Sequence, residues 1–326
     1  MANKSKIAWT DATWPIVGGC TKVSEACQHC YAIRECWRMA HNPNPKISSR
    51  YSGLVSKREI GLAEALNWTG SVRCPAERID WPLKWREPRR IFVTSMGDLF
   101  HDEVPDDFID RVFAVVALTP RHTYQVLTKR AARMVAYMTD PATPRRIADY
   151  MSLGTIITTP GAIDVDGATM ARWFENGVPW PLPNTWLGVT AENQRRADER
   201  IPLLLQAPAV VRFVSIEPLL GPVDLRRWLE PCGCGGLCDS SGPCPMAYNA
   251  RRLSWVIVGC ESGPRRRSTD LAWARSIKEQ CQAAYVPLFI KQLEVDGKIV
   301  HMPPLDGRVW AQFPVETRRQ YRDGAG

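Results

Sequence analysis

The chain has 326 residues, of which 45% are apolar and 23% charged, and its formal net charge is +8 at pH 7. This is ordinary globular composition, which excludes a chain that is disordered over most of its length. The longest apolar stretch, residues 112–118, is far shorter than the roughly 20 residues that span a bilayer, so no membrane segment is predicted. The first residues are polar and lack a secretory apolar core, so a cytoplasmic protein is expected.

Short β-rich segments alternate with helical patterns along the chain. In the first predicted helix, Phe108, Val112 and Val115 recur at helical spacing. Strands that alternate with helices predict βα units and a parallel sheet. In chain order the predictions are strand 91–95, helix 106–118, strand 124–128, helix 129–138, strand 185–190, helix 192–205, strands 211–215 and 255–259, helix 269–284 and strand 286–290.

Polar or reactive side chains follow nearly every predicted strand. In a barrel of parallel strands the carboxyl ends converge on one face, and such folds keep their active sites there. We therefore predict an α/β protein built as a partial (β/α) barrel of the TIM-barrel type. The strand-end groups are residues 95–98, 128–130, 190–192, 215–217, 260–262 and 291–292.

Two segments interrupt this series. Residues 139–184 are rich in Pro, Gly and Thr, and so long a structureless loop is uncommon inside a compact domain, so we interpret them as an insertion that serves as a lid. Residues 231–252 form a second, cysteine-rich insertion. The expected organisation is a barrel domain over residues 1–292, followed by a C-terminal wrap and polar tail over residues 293–326.

The first cysteine cluster places Cys20, Cys27 and Cys30 within eleven residues, directly after two glycines. In a reducing compartment, clustered cysteines bind metal more often than they form disulfides. Three thiolates are one ligand too few for a closed structural zinc site, but they suit a 4Fe-4S cluster with one open iron. A zinc site completed by His29 is the alternative.

The second cluster supplies four thiols within thirteen residues of a glycine-rich segment. A tetrathiolate zinc site is the simplest interpretation, and a second iron-sulfur cluster is the alternative. Either metal would stabilise a segment that is too polar to fold alone. The predicted ligands are Cys232, Cys234, Cys238 and Cys244.

Ordered motifs along the chain resemble those of a phage-associated radical-SAM-like family of three-cysteine proteins, which is distantly similar to spore photoproduct lyase. The resemblance covers most of the chain outside the two insertions. The motifs are residues 7–11, 19–32, 95–100, 126–130, 186–189, 212–221, 255–263, 289–292 and 305–308.

The resemblance implies that Cys20, Cys27 and Cys30 hold three irons and that S-adenosylmethionine (SAM) chelates the fourth. Electron transfer would then produce a 5′-deoxyadenosyl radical that abstracts hydrogen from the substrate. His29 occupies the position where the superfamily usually keeps an aromatic residue against the adenine. Six residues separate Cys20 from Cys27, where the superfamily's common spacing is three, although this family shares the longer loop.

The strand-end motifs carry further expectations from the resemblance. Asp98 is expected to bind the SAM amino group, and Ser95 in the same motif to contact the cofactor. Lys129 belongs to a Thr-Lys step found in the lyase-like proteins and is a candidate catalytic residue. Glu192 and Glu217 stand where contacts to ribose or substrate are expected.

Besides Lys129, three further strand-end residues are candidates for catalysis. Cys260 replaces a glycine that the family usually has, and it would donate hydrogen to a product radical, as a cysteine does in spore photoproduct lyase. The alternative is a small buried thiol that fills space. Glu217 and Glu261 could act as general acid or base, or could be carboxylates that interact with helix dipoles.

The net charge favours an anionic partner, most commonly nucleic acid, although the short arginine runs could equally be solvated faces. We predict an iron-sulfur, radical-SAM-like enzyme that modifies or repairs nucleic acid or a nucleotide. It would act in the cytoplasm of a phage-infected or prophage-bearing bacterium, with a partner protein encoded by a neighbouring gene. The alternatives are a non-catalytic iron-sulfur protein that binds nucleic acid or a host protein, and a zinc-only binding module.

Overall fold

A computed structural model describes residues 5–60, 63–152, 163, 165–229, 252–263 and 265–314. Within these residues the centre of the fold is an eight-stranded sheet whose strands follow one another across the sheet in chain order. The first seven strands are parallel and the eighth is antiparallel to the seventh. The strands are β1 (Ala12–Trp14), β2 (Arg90–Val93), β3 (Thr123–Thr128), β4 (Thr185–Thr190), β5 (Val211–Ile216), β6 (Trp255–Gly259), β7 (Leu288–Val295) and β8 (Lys298–His301).

Helices connect most of the parallel strands, as the alternating pattern predicts. No helix in the described part of the chain is both long enough and apolar enough to cross a bilayer. The helices are α1 (Tyr31–Ala40), α2 (Pro45–Tyr51), α3 (Asp106–Leu118), α4 (Ala131–Thr139), α5 (Thr143–Ser152), α6 (Gly167–Asn176), α7 (Gln194–Leu204), α8 (Arg226–Leu229) and α9 (Leu271–Ala283), with 3-10 turns at Glu25–Cys27, Ala76–Arg78 and Pro82–Lys84.

In the described part of the chain, three two-stranded pairs lie outside the main sheet. Gly18–Gly19 runs parallel to Met96–Gly97 and leads directly into Cys20. The other two pairs are antiparallel: Val55–Ile60 with Ala63–Trp68, and Pro304–Leu305 with Arg308–Val309.

The main sheet is strongly curled, as the distances from the ring of Trp9 to rings on two strands show. Its ring centroid lies 4.9 Å from that of Phe92 on β2 and 6.1 Å from that of Trp255 on β6. The ring centroids of Phe92 and Trp255 are therefore no more than about 11 Å apart. Their strands are four spacings apart in the sheet, which would be roughly 19 Å if the sheet were flat. The sheet is thus a half-barrel. The structure confirms the predicted parallel α/β sheet, but its strand order leaves β1 and β8 as open edges among the described residues.

Side chains alternate between the two faces of the half-barrel. Apolar side chains such as Val126, Val189 and Val256 point to the convex face and pack in the main core with residues of the helices. The side chains that alternate with these along the strands are mainly aromatic, and they point to the concave face. This aromatic cluster comprises Trp9, Phe92, Trp186, Val211, Phe213, Trp255, Ile257 and Phe289.

The described residues within 139–184 include two helices, α5 and α6. Ile147 and Met151 of α5 and Trp173 of α6 are buried in the main core, on the convex side. Thr143 begins α5 and donates a hydrogen bond to the carbonyl of Tyr137. Apolar residues at helical spacing, which a composition rich in Pro, Gly and Thr obscures, explain why this segment folds into helices. Since its described residues pack on the convex side, the structure does not support the interpretation as a lid.

The C-terminal segment packs on the sheet as far as residue 314. The backbone N–H of Ile290 on β7 donates to the carbonyl of Trp310, and the indole of Trp255 donates to the carbonyl of Gln312. Residues 293–295 and 298–301 belong to the main sheet, so the predicted domain boundary at residue 292 falls inside β7. Phe313, further along this segment, packs on Trp255 and Phe289 of the aromatic cluster. The predicted tail at 315–326 and the cysteine-rich segment, with Cys232, Cys234, Cys238 and Cys244, lie outside the described residues.

Gly188 on β4 is expected to be essential for packing on the concave face. A Cβ atom at this position would lie 2.4 Å from the ring of Phe213, so Gly188→Ala should lower the free energy of unfolding by about 1–3 kcal/mol through overpacking. Urea unfolding provides the measurement. Gly167→Ala on α6 is the control, because a Cβ atom there has no neighbour within 4 Å. Phe213→Leu should partly rescue Gly188→Ala, and equal losses in both glycine variants would contradict the packing argument.

Candidate functional site

The carboxyl ends of the parallel strands surround a cavity of about 420 Å³. Cys20, Cys27 and Cys30 all line it, so the structure brings the first cysteine cluster to the predicted active-site face. The aromatic residues Trp9 and Phe92 contribute to its floor. Each strand from β2 to β6 adds a residue at or just beyond its carboxyl end, and β7 adds Lys291 from its middle; the strand-end residues are Ser95, Lys129, Thr190, Ser215 and Cys260.

The three cysteines are placed by different local structures. Cys20 follows Gly19, whose φ is 90° and where a Cβ atom would lie 2.1 Å from the carbonyl oxygen of Ser71, so only glycine fits. Cys27 ends the 3-10 turn at residues 25–27, and Cys30 is the residue that caps the N-terminus of α1. The turn and the helix end give the second and third thiols fixed positions on one wall of the cavity.

Burial favours the protonated thiol of Cys20 and of Cys30 in the metal-free protein. It raises the pKa of Cys20 to about 11; the nearby Asp98 adds to the rise, and Arg130 opposes it. Burial also raises the pKa of Cys30, against the opposing effect of Lys129 and of backbone N–H groups at the start of α1. Cationic groups and a helix N-terminus stabilise a thiolate, which is the form that binds metal.

Asp98 and Arg130 form a buried ion pair behind Cys20. Asp98 Oδ2 accepts hydrogen bonds from Arg130 Nη1 at 3.2 Å and from the backbone N–H of Lys129 at 3.1 Å. Its Oδ1 accepts from Thr128 Oγ1 at 2.7 Å and from the backbone N–H of Phe100 at 3.0 Å. A carboxylate has about four lone-pair sites, so the hydrogen-bonding capacity of Asp98 is already used.

Arg130 connects this ion pair to the cysteine loop. Its Nη1 lies 3.6 Å from the sulfur of Cys20, and its Nη2 donates to Thr21 Oγ1 at 2.6 Å. His101 Nε2 also contacts Thr21 Oγ1, at 3.1 Å. We did not predict a role for Arg130 from the sequence. The available signal was its place in the same strand-end group as Lys129.

Glu192 is completely buried and does not line the cavity, which corrects the expectation of a ribose or substrate contact. Its Oε1 accepts the backbone N–H of Ala26 at 3.1 Å, and its Oε2 pairs with Arg200 Nη1 at 3.0 Å. The physical reason is that Glu192 lies below the cysteine loop, where its carboxylate supports the backbone between Cys20 and Cys27. Glu192 is thus a positioning residue for the loop.

Two arginines on other elements hold the same loop. Arg196 on α7 donates to both carboxylate oxygens of Glu25, at 2.9 and 3.2 Å, which lowers the pKa of Glu25 to about 2. Arg267 donates to the carbonyl oxygen of Glu25 at 3.0 Å and also binds Glu261. The cysteine loop is therefore attached to the ends of several strands at once.

Glu261 and His29 form a hydrogen-bonded pair in the wall of the cavity. His29 Nδ1 lies 3.0 Å from Glu261 Oε2, and Arg267 donates to the same carboxylate through its backbone N–H, at 2.8 Å, and its guanidinium. Burial raises the pKa of Glu261, but the hydrogen bonds from Arg267 and His29 lower it more, and the resulting pKa lies below its ordinary value. Both residues line the cavity, as predicted, and Glu261 is a carboxylate at neutral pH.

Glu217 and Lys291 form a second ionic pair in the cavity. Lys291 Nζ lies 2.9 Å from Glu217 Oε1, and Ser215 donates to Oε2 at 3.2 Å. Cys260, 3% exposed, lines the cavity beside them, and burial raises the pKa of its thiol to about 11. A protonated thiol at this position satisfies both interpretations of Cys260, as a hydrogen donor and as a space-filling residue.

Lys129 and Thr94 lie at the cavity wall, and their polar groups are not fully hydrogen-bonded or paired within the described residues. Lys129 Nζ donates to Thr190 Oγ1 at 3.3 Å but makes no ion pair within the described residues. Thr94 has a φ of 69°, an uncommon and strained backbone conformation for a β-branched residue, and its buried hydroxyl has no hydrogen-bond partner in the described part of the protein. Strained residues cluster at ligand sites, so these two groups mark the wall where a ligand would bind.

The predicted arginine runs are mostly paired with carboxylates. Arg146, for example, pairs with Asp110 and Asp140, and Arg227 pairs with Asp198. At least one arginine in the runs at 89–90, 145–146, 195–196, 226–227 and 265–267 makes such a pair. The runs are therefore largely neutralised on the surface and do not form a basic groove by themselves.

Comparison with known proteins places the chain in a family. A family model described as "Protein of unknown function (DUF5131)" matches residues 4–314. The chain belongs to this family. No curated protein and no solved structure matches the chain significantly. The match covers the whole half-barrel, including the cysteine loop and every strand end that lines the cavity.

In the metal-free protein, alkylation of Cys20 should accelerate about tenfold between about pH 9 and pH 10. With a pKa of about 11, the thiolate fraction of Cys20 still rises tenfold per pH unit in this interval. A cysteine with an ordinary pKa of about 8.5 is mostly ionised at pH 9, so its rate would be nearly constant. Mass spectrometry of the Cys20 peptide gives the rate, with N-acetylcysteine as the control. A plateau below pH 10 would show that burial does not control this thiol.

Proposed function

We propose that this chain is an iron-sulfur protein of radical-SAM type, in which Cys20, Cys27 and Cys30 bind a 4Fe-4S cluster. The observation that carries the proposal is that these three thiols share one cavity with side chains from the ends of five parallel strands. Folds with parallel strands keep their active sites at this end. The resemblance of the motifs to a radical-SAM-like family supports the same assignment.

The donor set fits such a cluster. Among the described residues, no three His, Cys, Asp or Glu side chains converge on a single metal ion. In a 4Fe-4S cluster each thiolate binds a separate iron, and the three thiols that line the one cavity provide such a set. His29, the candidate fourth zinc ligand, directs its Nδ1 to Glu261, and its Nε2 would be the nitrogen that binds metal in the zinc alternative. With a cluster and SAM bound, the site would supply the 5′-deoxyadenosyl radical that the resemblance implies.

The residues of the chain have distinct tasks in this proposal. Lys129 and Arg130 favour the thiolate forms of Cys30 and Cys20, which metal binding requires. The aromatic cluster excludes water from the floor of the cavity. The Lys291–Glu217 pair offers a cation and a carboxylate to polar groups of a substrate.

The proposed substrate is a nucleic acid or a nucleotide. The net charge of +8 supports an anionic partner, and the family resemblance supports a reaction that modifies or repairs it. The proposed setting is the reducing cytoplasm of a phage-infected or prophage-bearing bacterium, where a cluster and free thiols persist. The partner protein from a neighbouring gene belongs to this proposal as well.

One observation favours a second candidate function, a non-catalytic iron-sulfur protein. Asp98, which the resemblance assigns to the SAM amino group, already accepts four hydrogen bonds from the protein. SAM would have to displace one of these donors or use other acceptors. In the second candidate the cluster stabilises the fold, and the protein binds nucleic acid or a host protein.

A Cys27 variant tests whether the metal in the protein is a 4Fe-4S cluster bound by the three cysteines of the cavity. Anaerobically purified Cys27→Ala should lose the brown absorbance and the matching iron and sulfide, because the cluster loses one of three thiolates. Cys281→Ala is the control, since Cys281 is similarly buried but belongs to the convex core and does not line the cavity. Iron and sulfide analysis gives the readout. A parent protein without iron would overturn the cluster, and zinc in its place would support the zinc-only module.

The second cysteine cluster requires its own variant. Cys238→Ala should leave the cavity cluster intact while removing about one zinc, or the iron of a second cluster, per chain. Metal analysis by mass spectrometry distinguishes the two. Simultaneous loss of both metals in this variant would mean that the two sites depend on each other for folding.

SAM cleavage distinguishes the enzyme from the non-catalytic protein. Reduced, cluster-loaded protein should release 5′-deoxyadenosine from SAM, and DNA or RNA should stimulate the reaction if it is the substrate. Lys291→Met, which removes the cation of the Lys291–Glu217 pair, should reduce the stimulation by nucleic acid more than the basal cleavage. If the cluster is present but SAM neither binds nor is cleaved, the non-catalytic function stands.

A further inference from the structure

A second cavity, also of about 420 Å³, lies between the end of α2 and the 3-10 turn at residues 76–78. It is separate from the cysteine cavity, and Val17 and Gly18 of the strand that leads to Cys20 form one wall. Three arginines line it, Arg50, Arg73 and Arg78, against one carboxylate, that of Glu77. The cavity is therefore electropositive.

Arg78 is the central feature of this cavity because its charge is buried without a carboxylate partner. The residue is 5% exposed, and its Nη1 donates to the carbonyl of Pro15 at 2.7 Å and contacts the hydroxyl of Tyr51 at 3.5 Å. Its Nε is buried and has no hydrogen-bond partner among the described residues. A buried, uncompensated guanidinium is costly, and an anion in the cavity would compensate it.

The surrounding groups hold this guanidinium in place. Its carbon lies 5.8 Å from the ring centroid of Tyr51 and 5.4 Å from that of Trp81. Its own backbone carbonyl accepts a 2.7 Å hydrogen bond from the indole of Trp14 on β1. Arg78 is thus fixed by the main sheet and by α2 before any ligand arrives, which lowers the entropic cost of binding.

The other two arginines retain donors for a ligand. Arg73 donates through Nη1 to the carbonyl of Ser49 and makes no ion pair in the described parts of the chain. Arg50 Nε lies 3.5 Å from Glu77 Oε1, and this half-exposed ion pair contributes little to stability. Burial raises the pKa of Cys74, which also lines the cavity, to about 11, so its thiol adds no negative charge.

We propose that this second cavity binds a phosphate group, carried by a nucleotide or by a nucleic acid. Planar guanidinium groups match the oxygens of phosphate in a bidentate manner, and several of them around one cavity suit its multiple oxygens and its charge. The cavity is large enough for a phosphate with part of its attached nucleoside. The proposal goes beyond the function proposed above, because phosphate binding requires neither iron nor SAM.

Calorimetric titration of the purified full chain with inorganic phosphate tests the site directly, at constant ionic strength. We expect Arg73→Gln and Arg50→Gln each to weaken phosphate binding by about tenfold, because each removes a charged donor. Glu77→Gln should tighten binding several-fold, because it removes the competing carboxylate beside Arg50. Arg172→Gln, an exposed arginine on α6, is the matched control and should change nothing.

Tighter phosphate binding by the Glu77→Gln variant cannot arise from misfolding. The test therefore holds even if an arginine variant is unstable. No heat of binding at millimolar phosphate, or equal affinity in the parent and Arg73→Gln, would overturn the proposal. Competition between phosphate and a 5′-phosphorylated oligonucleotide, but not its unphosphorylated counterpart, would identify the source as a nucleic-acid end. Competition by mononucleotides alone would identify a free nucleotide. Either result supports the site, and neither depends on SAM cleavage.

Discussion

Packing on the concave face is the constraint on which the rest of the structure depends. Trp9 contacts rings from β2, β5 and β6 at once, which is possible only because the sheet curls around it. Gly188 leaves the space that the ring of Phe213 requires on the same face. The curl turns the carboxyl ends of β2 to β6 and the middle of β7 toward one another, and the cavity lies between them. A flat sheet with the same strands would spread these residues along an edge.

The cysteine loop depends on this arrangement as well. It has little regular structure of its own, and its shape is maintained by charged groups from the strand ends. Arg130 after β3 binds Thr21 and approaches Cys20, whereas Glu192 after β4 accepts the N–H of Ala26. Because both charged groups are buried and paired, they hold the loop more rigidly than exposed pairs would. Arg130 and Glu192, which the sequence places among the strand-end groups, therefore help to place the thiols.

Both cavities involve the same stretch of chain. Residues 17–20 border the cavity that we propose for phosphate on one side and deliver Cys20 to the cysteine cavity on the other. A nucleic acid or nucleotide bound by Arg73 and Arg78 would therefore lie next to the backbone that positions the first thiol. The two proposals are independent in their tests, and together they describe a protein that would hold an anionic substrate close to a cluster.

The sequence by itself determined the elements with strong local patterns and the groups that follow them. The helix at Asp106–Leu118 and the strands at Thr185–Thr190 and Trp255–Gly259 have the predicted bounds, because their apolar periodicity is a local property. The three-residue strand β1 is too short to show a pattern, and no pattern predicted α1 or α2. Only the tertiary structure decided that the carboxylates of Asp98 and Glu192 accept hydrogen bonds from the protein itself, since several of their donors come from residues distant in sequence. Arg78 likewise became significant only when burial left its charge without a partner.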